Sequence, residues 1–274
     1  MSASPAGFAV GRPGAPDAMT VNLFDSHCHF DFEAFDSDRS QVWEHCRAQG
    51  LTRLLVPGVS PSQWPRAQAL SEQMPGLCWA AGLHPWWLGE LDGIDWEAPL
   101  RETLTQPGCV ALGECGLDKL IDTPLDDQES LLERQLELAQ SLDLPVILHC
   151  VKADNELIRL LKRHSLPRGG VVHGFSGSRQ MAETYWGMGF YLGIGGTITY
   201  ERARKTREAA QTLPLEALLL ETDAPDMPLQ GHQGERNSPE YLVEVAQTLA
   251  TLRATSLEAV ARQTTGNARR LFQV

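Results

Sequence analysis

Eight short apolar segments recur along this chain with helix-patterned stretches between them, and that alternation constrains the fold more than any single motif does. The segments are residues 21–24, 53–57, 77–82, 109–113, 145–148, 170–172, 190–194 and 218–220. In the clearest intervening stretch, Leu131, Leu132, Gln135, Leu138, Ala139 and Leu142 fall at helical spacing. Strand and helix alternating eight times is the pattern of a (β/α)8 TIM barrel, with parallel strands inside and helices outside. Beyond the eighth segment, residues 239–252 and 257–272 predict two helices that close the outside. A length of 274 residues suits one such barrel. No repeat, low-complexity linker or composition shift divides the chain after Thr20, so residues 21–274 are expected to form a single domain. Residues 1–20 are rich in Ala, Gly and Pro, carry Arg12 as their one basic residue and lack a continuous apolar core. They predict a disordered extension rather than a signal peptide, and Met19-Thr20-Val21 reads as an alternative start.

Charge and cysteine usage narrow the setting. With 23 basic and 35 acidic residues the formal charge is −12, which argues against nonspecific attraction of nucleic acid by the whole molecule. A phosphate substrate remains compatible, because bound divalent cations dominate the local field of a site. The six cysteines form no C-x-x-C pair and no regular spacing, which argues against a zinc ribbon and a disulfide scaffold and points to a reducing cytoplasm. Cys28, Cys115 and Cys150 adjoin candidate ligands but read as buried thiols, since neighbours on a strand face opposite ways. No apolar run approaches the ~18 residues that suggest a membrane span, and no obligate protein partner is evident.

A barrel gathers the C-terminal ends of its strands on one rim, so polar residues at those ends belong together. The first segment runs into Asp25-Ser26-His27-Cys28-His29. Alternation along an extended strand puts Asp25, His27 and His29 on one side, with Asp25 placed to hold a ligating ring through its second nitrogen. Glu114 ends the fourth segment in Gly113-Glu114-Cys115-Gly116-Leu117-Asp118, His149 ends the fifth, and His173 follows the sixth. Asp223 ends the eighth in Leu220-Glu221-Thr222-Asp223-Ala224-Pro225. Neutral imidazoles mixed with carboxylates suit divalent ions such as zinc, manganese or iron. His84, in Gly82-Leu83-His84-Pro85, also ends a strand, and two readings stay open for it: contact with a substrate phosphate or water, or a hydrogen-bonded rim residue packed by Trp86 and Trp87. Asp118 and Glu221 are candidate supports for the ligands, although Glu221 could face the helix layer. His45, His164 and His232 stand in helical or loop contexts and are assigned no role.

In this ordered set the chain resembles the TatD family of metal-dependent deoxyribonucleases, within the wider amidohydrolase-like barrels. The matching elements span Phe24 to Phe272 and include, besides those above, Leu148-His149, His173-Gly174-Phe175-Ser176-Gly177, Arg236-Asn237-Ser238-Pro239 and Asn267-Ala268-Arg269-Arg270-Leu271-Phe272. The resemblance implies two divalent ions of zinc, magnesium, manganese or iron. His27, His29, Glu114 and Asp223 would hold one; Glu114, His149 and His173 would hold the other, with Glu114 bridging. It further implies cleavage of phosphodiester bonds in DNA or a short oligonucleotide, as a deoxyribonuclease of 3'-5' exonuclease type. Glu114 and Asp223, the latter as general base, are then the catalytic candidates, and His84, Arg236 and Asn237 would contact the phosphate. Gly174 stands where the family commonly has Cys, at a position that is not a ligand. Lys119 stands where an aromatic often follows Gly-Leu-Asp, which bears on how a base is stacked. The same fold and ligands also serve hydrolysis of a small amide, lactone or phosphomonoester. A catalytically idle barrel would be expected to lack a ligand, and all six are present.

Overall fold

Each of the eight apolar segments forms a strand in the computed structural model, which describes residues 21–91 and 93–274. The expected N-terminal extension, residues 1–20, lies outside the described residues. The strands are β1 (Leu23–Asp25), β2 (Leu51–Gly58), β3 (Leu77–Ala81), β4 (Cys109–Asp118), β5 (Val146–Val151), β6 (Gly170–Val172), β7 (Phe190–Ile194) and β8 (Leu218–Leu220). They pair in chain order, each parallel to the next. Between β8 and β1 the ring is joined just beyond the strand ends. Ser26 N donates to Leu220 O at 2.9 Å, Asp223 N to His27 O at 2.9 Å and His29 N to Ala224 O at 2.8 Å. Around the strands run α1 (Arg39–Ala48), α2 (Trp64–Gln73), α3 (Glu97–Leu104), α4 (Leu125–Ser141), α5 (Asp154–Leu161), α6 (Arg179–Gly187), α7 (Arg204–Thr212), α8 (Leu242–Leu252) and α9 (Leu257–Phe272). None of these helices is long and apolar enough to cross a membrane.

Two apolar layers follow from the two faces of each strand. The larger lies between strands and helices. The smaller fills the barrel, where Phe24, Leu55, Ala80, Ala111, Ile147, Val171 and Leu219 meet Ala268, Leu271 and Phe272 from the end of α9. The rings of Phe24 and Phe272 stand 6.1 Å apart, so the last turn of the chain plugs the barrel floor. This plug fixes which alternate residues point inward, and so which can reach the rim above it.

β6, β7, β8 and α9 have the bounds read from the sequence, whereas β4 and β5 run further than their apolar runs. β4 continues through Glu114 to Asp118 because Cys115, Gly116, Leu117 and Asp118 pair in register with Leu148, His149, Cys150 and Val151. Gly116, at φ +154°, makes that pairing possible, since a Cβ there would collide with the carbonyl of His149. At the other end of the barrel order, β1 stops at Asp25, and His27 and His29 lie on irregular backbone beyond it. All six cysteines are free thiols; Cys28 and Cys115 are buried and Cys150 is half-buried beside the Tyr185 hydroxyl.

Candidate metal centre

Period-two alternation carries the inward-facing order from the barrel floor to the rim. Ile147, Val171 and Leu219 fill the floor, and two residues further along each chain segment stand His149, His173 and Glu221. Glu221 therefore faces the interior, not the helix layer. Its Oε1 lies 3.9 Å from His173 Nδ1 and accepts the Gly174 amide, and Gly193 opposite leaves room for the carboxylate that a Cβ would strike. The same alternation turns Asp25 away from the ligand rings, because its neighbour Phe24 is the inward residue. Asp25 instead accepts Thr222 Oγ1 at 2.6 Å, Thr222 N at 3.1 Å and His27 N at 3.2 Å. It braces the β8–β1 junction and the backbone of His27; the expected bond to an imidazole is absent among the described residues.

At the centre is Glu114, whose two oxygens look onto different groups. Oε2 lies 3.2 Å from His27 Nε2 and 3.4 Å from His29 Nε2, and Asp223 Oδ1 stands 3.6 and 3.8 Å from the same two nitrogens. Oε1 lies 2.8 Å from His173 Nε2, 3.0 Å from His149 Nδ1 and 3.3 Å from His84 Nε2. His84 thus joins the cluster directly, while its Nδ1 accepts the Trp86 amide at 3.2 Å. The imidazole planes of His27 and His173 stack at 3.8 Å across the two sides.

The residues fit divalent cations on two counts. His27 Nδ1 and Nε2, His29 Nδ1 and His173 Nδ1 are buried without a hydrogen-bond partner among the described residues, an arrangement that leaves imidazole lone pairs or protons unanswered. In addition, three sets of ligand atoms each gather within 4.8 Å: His27, His29 and Glu114; His27, His173 and Asp223; and His84, Glu114 and His149. The last set brings in His84, which the sequence reading had placed on substrate.

Electrostatics divide the cluster. Burial on its own would raise Glu114, but His173, His84, His27 and His149 outweigh it and hold the carboxyl well below its ordinary range. Against their burial, Glu114 and Asp223 raise His29 to about 9, and Asp118 and Glu114 raise His149 to about 9. Burial and the neighbouring His173 keep His27 well below the imidazole range. Burial raises Asp223, and lifts Asp25 to about 7 and Glu221 to about 8.

Further residues position the ligands. Asp118 Oδ2 lies 3.3 Å from His149 Nε2 and accepts Trp86 Nε1 at 2.8 Å. On α4, Gln135 accepts Leu83 N at 2.8 Å and donates to Leu83 O at 3.1 Å, and Gln128 treats the backbone of Asp118 the same way at 2.8 and 3.0 Å. These two glutamines, seven residues apart on the buried stripe, fix the loop carrying His84 and the end of β4 at Asp118. Their sequence signal was polar residues on the apolar face of a helix.

Two expected phosphate contacts are placed elsewhere. Asn237 is fully buried, and its Nδ2 lies within hydrogen-bond range of the carbonyls of Thr222 at 2.8 Å, Asp226 at 2.7 Å and Met227 at 3.3 Å. Its Oδ1 accepts Ser238 N at 2.8 Å, so the amide is committed to shaping the loop after β8. Arg236 forms a forked pair with Asp38 at 2.8 and 2.7 Å, donates to Ala34 O at 2.6 Å and covers the Phe35 ring. Neither side chain is directed to the Glu114 cluster: Arg236 joins the β8 loop to the segment after β1, and Asn237 is bonded within the β8 loop itself.

The profile of the family described as TatD related DNase matches residues 24–273. An uncharacterized metal-dependent hydrolase of Escherichia coli K12, YjjV, is 43% identical over 258 residues, covering 93% of this chain and 100% of the relative. The crystal structure of YjjV, described as a TatD homolog, superposes with a TM-score of 0.89 and 44% identity over 93% of this chain and 100% of that one. A protein of Rahnella sp. named 3'-5' ssDNA/RNA exonuclease TatD is 37% identical over 263 residues, covering 91% of this chain and 98% of its own.

Proposed function

The chain belongs to the TatD family of metal-dependent hydrolases, and from that premise we propose that it is a two-metal phosphodiesterase that releases nucleotides from the 3' ends of single-stranded DNA. The observation that carries this reading is the Glu114 carboxylate, with Oε2 toward His27 and His29 and Oε1 toward His149, His173 and His84. One divalent ion would be held by His27, His29, Glu114 and Asp223, and a second by Glu114, His149 and His173. Ions bound there supply Lewis-acid polarisation of the phosphoryl oxygens and a lowered pKa for the attacking water.

The chain's own groups do the rest. Asp223 accepts the proton of the attacking water as general base. Its side chain is 18% exposed against 3% for Glu114, so it is the carboxylate that water can reach. His84, held by the Trp86 amide and facing Glu114 Oε1, is poised to donate a hydrogen bond to a phosphate oxygen beside the second position. Asp118 keeps the His149 ring oriented, as an outer carboxylate does for a ligating imidazole. The name of the Rahnella relative supports a single-stranded nucleic acid substrate. The acidic balance of −12 supports recognition of a few nucleotides near the centre rather than a long basic track.

The deciding experiment is a hydrolysis screen of metal-stripped and metal-restored protein. Substrates are single-stranded DNA blocked at either end, RNA, phosphomonoesters, lactones and cyclic amides. Metal-dependent release of mononucleotides, stopped by a 3' block, is the expected result. No cleavage of any nucleic acid, with turnover of a small ester or amide, would overturn it in favour of a small-molecule hydrolase.

A further inference from the structure

Beside the Glu114 cluster, the loops after β1, β2 and β3 line an open cleft of about 490 Å³, within the usual size of small-ligand pockets. It borders the centre through the ring of His29 and the backbone of His84. Phe32 lines the cavity and stacks on the His29 ring, with centroids 4.6 Å apart and planes 25° apart. Trp87 lines it too, and its amide donates to the His84 carbonyl at 3.0 Å, while the His84 amide donates to Val59 O at 3.0 Å. The neighbouring tryptophans have separate duties: Trp86 binds Asp118, whereas Trp87, 36% exposed, belongs to this cavity.

The polar wall is prearranged. Gln63 donates to Asp31 Oδ2 at 2.6 Å and accepts the Val59 amide at 2.8 Å, which fixes both side chains. Asp31 is only 1% exposed, yet its Oδ1 has no hydrogen-bond partner among the described residues. A buried acceptor of this kind calls for a donor from a ligand or water. Phosphate is a poor occupant here: Asp31, Glu33 and Glu90 line the cavity, and Arg66, its one lining cation, is engaged by Asp36. A neutral planar group bearing N–H donors matches aromatic faces combined with an acceptor wall.

We propose that this cavity is a nucleobase subsite, taking the base of the nucleotide whose phosphate lies at the Glu114 centre, stacked on Phe32 and Trp87 and donating an N–H to Asp31 Oδ1. The proposal rests on the phosphodiesterase reading above. Base–aromatic stacking changes affinity by roughly tenfold or more per base, so the cavity would supply much of the grip that an acidic surface withholds.

The test is equilibrium titration of metal-loaded protein with deoxyadenosine monophosphate and with deoxyribose 5-phosphate, which lacks the base. The expected result is about tenfold tighter binding of the nucleotide. Trp87→Ala should abolish the difference and Trp87→Phe restore it, with metal content unchanged in both. Equal binding of the two ligands by the wild type, or an undiminished preference in Trp87→Ala, would overturn the subsite. Because the titration requires no turnover, the two ideas fail separately. Nucleic acid cleavage without base-dependent binding removes the subsite alone, and base-dependent binding without cleavage removes the phosphodiesterase reading alone.

Discussion

The two oxygens of Glu114 face neighbourhoods built in different ways. On the Oε1 side, His149 sits within β5 and His173 directly after β6, at the inward positions next above Ile147 and Val171. On the Oε2 side, His27, His29 and Asp223 sit on irregular backbone beyond β1 and β8. There the main chain is held by hydrogen bonds across the junction and by Asp25 bonded to Thr222 and His27. One half of the site is thus positioned by strand period and the other by a loop braced at the seam. Geometry on the first side should survive any change that leaves the barrel intact, whereas the second depends on a few polar contacts.

Loss of the base on the loop-built side gives the largest expected effect. Asp223→Asn should lower kcat by about 10²–10⁴, the usual contribution of a general base, with a much smaller change in KM. Steady-state kinetics at saturating metal read this; a change confined to KM would make Asp223 a positioning residue and leave His84 as the next candidate.

A pair of variants tests whether the two sides are held independently. Asp118→Asn removes the carboxylate behind His149, and Thr222→Val removes a donor to Asp25 at the seam. Each should weaken metal binding by about 10–100-fold, the scale seen for partners that orient metal ligands. The weakened position should be the Oε1 side for Asp118→Asn and the Oε2 side for Thr222→Val. Anomalous diffraction at limiting metal separates the two positions, and an identical pattern of loss in both variants would end the distinction.

Protonation should act on both sides alike. In the metal-free chain His29 and His149, one on each side, titrate at about 9, so both are imidazolium at neutral pH. A ligating imidazole must be neutral, so each ion displaces at least one proton. Apparent affinity should therefore rise by at least about tenfold per pH unit for each ion up to about pH 9 and level off above it. Metal titrations between pH 6.5 and roughly 9.5 check the sign and the slope; affinity independent of pH would show that these imidazoles are already neutral.

The smallest effect belongs to the loop brace. Asn237→Ala leaves buried carbonyls of Thr222 and Asp226 without their donor and should destabilise the fold by about 1–3 kcal/mol. Denaturant unfolding would measure it, and unchanged stability with lost DNA binding would return Asn237 to the substrate.

What the sequence disclosed follows the same division. β6, β7 and β8 were legible because each is a short apolar run with polar or glycine boundaries. β4 and β5 were read too short because Glu114 and His149 are polar residues inside strands, where an inward side chain can serve a site. Parity from Leu219 implies that Glu221 faces inward, a signal available in the sequence once the floor residues are known. Asp25 was misplaced because strand alternation was carried through Ser26, where the strand has already ended. Arg236 and Asn237 lie within a family motif, but a motif gives residue identity, not direction; here Arg236 is turned to Asp38 and Asn237 is buried among carbonyls of the β8 loop.

The proposed mechanism turns on Glu114 being shared between two metal positions. The most direct measurement is the number of divalent ions bound per chain, by titration and elemental analysis, in the wild type and in Glu114→Ala, with circular dichroism to verify the fold. Two ions per wild-type chain are expected, and in the folded variant weakening of both together with loss of hydrolysis. A single ion in the wild type, or full occupancy and turnover in Glu114→Ala, would show that Glu114 is not shared.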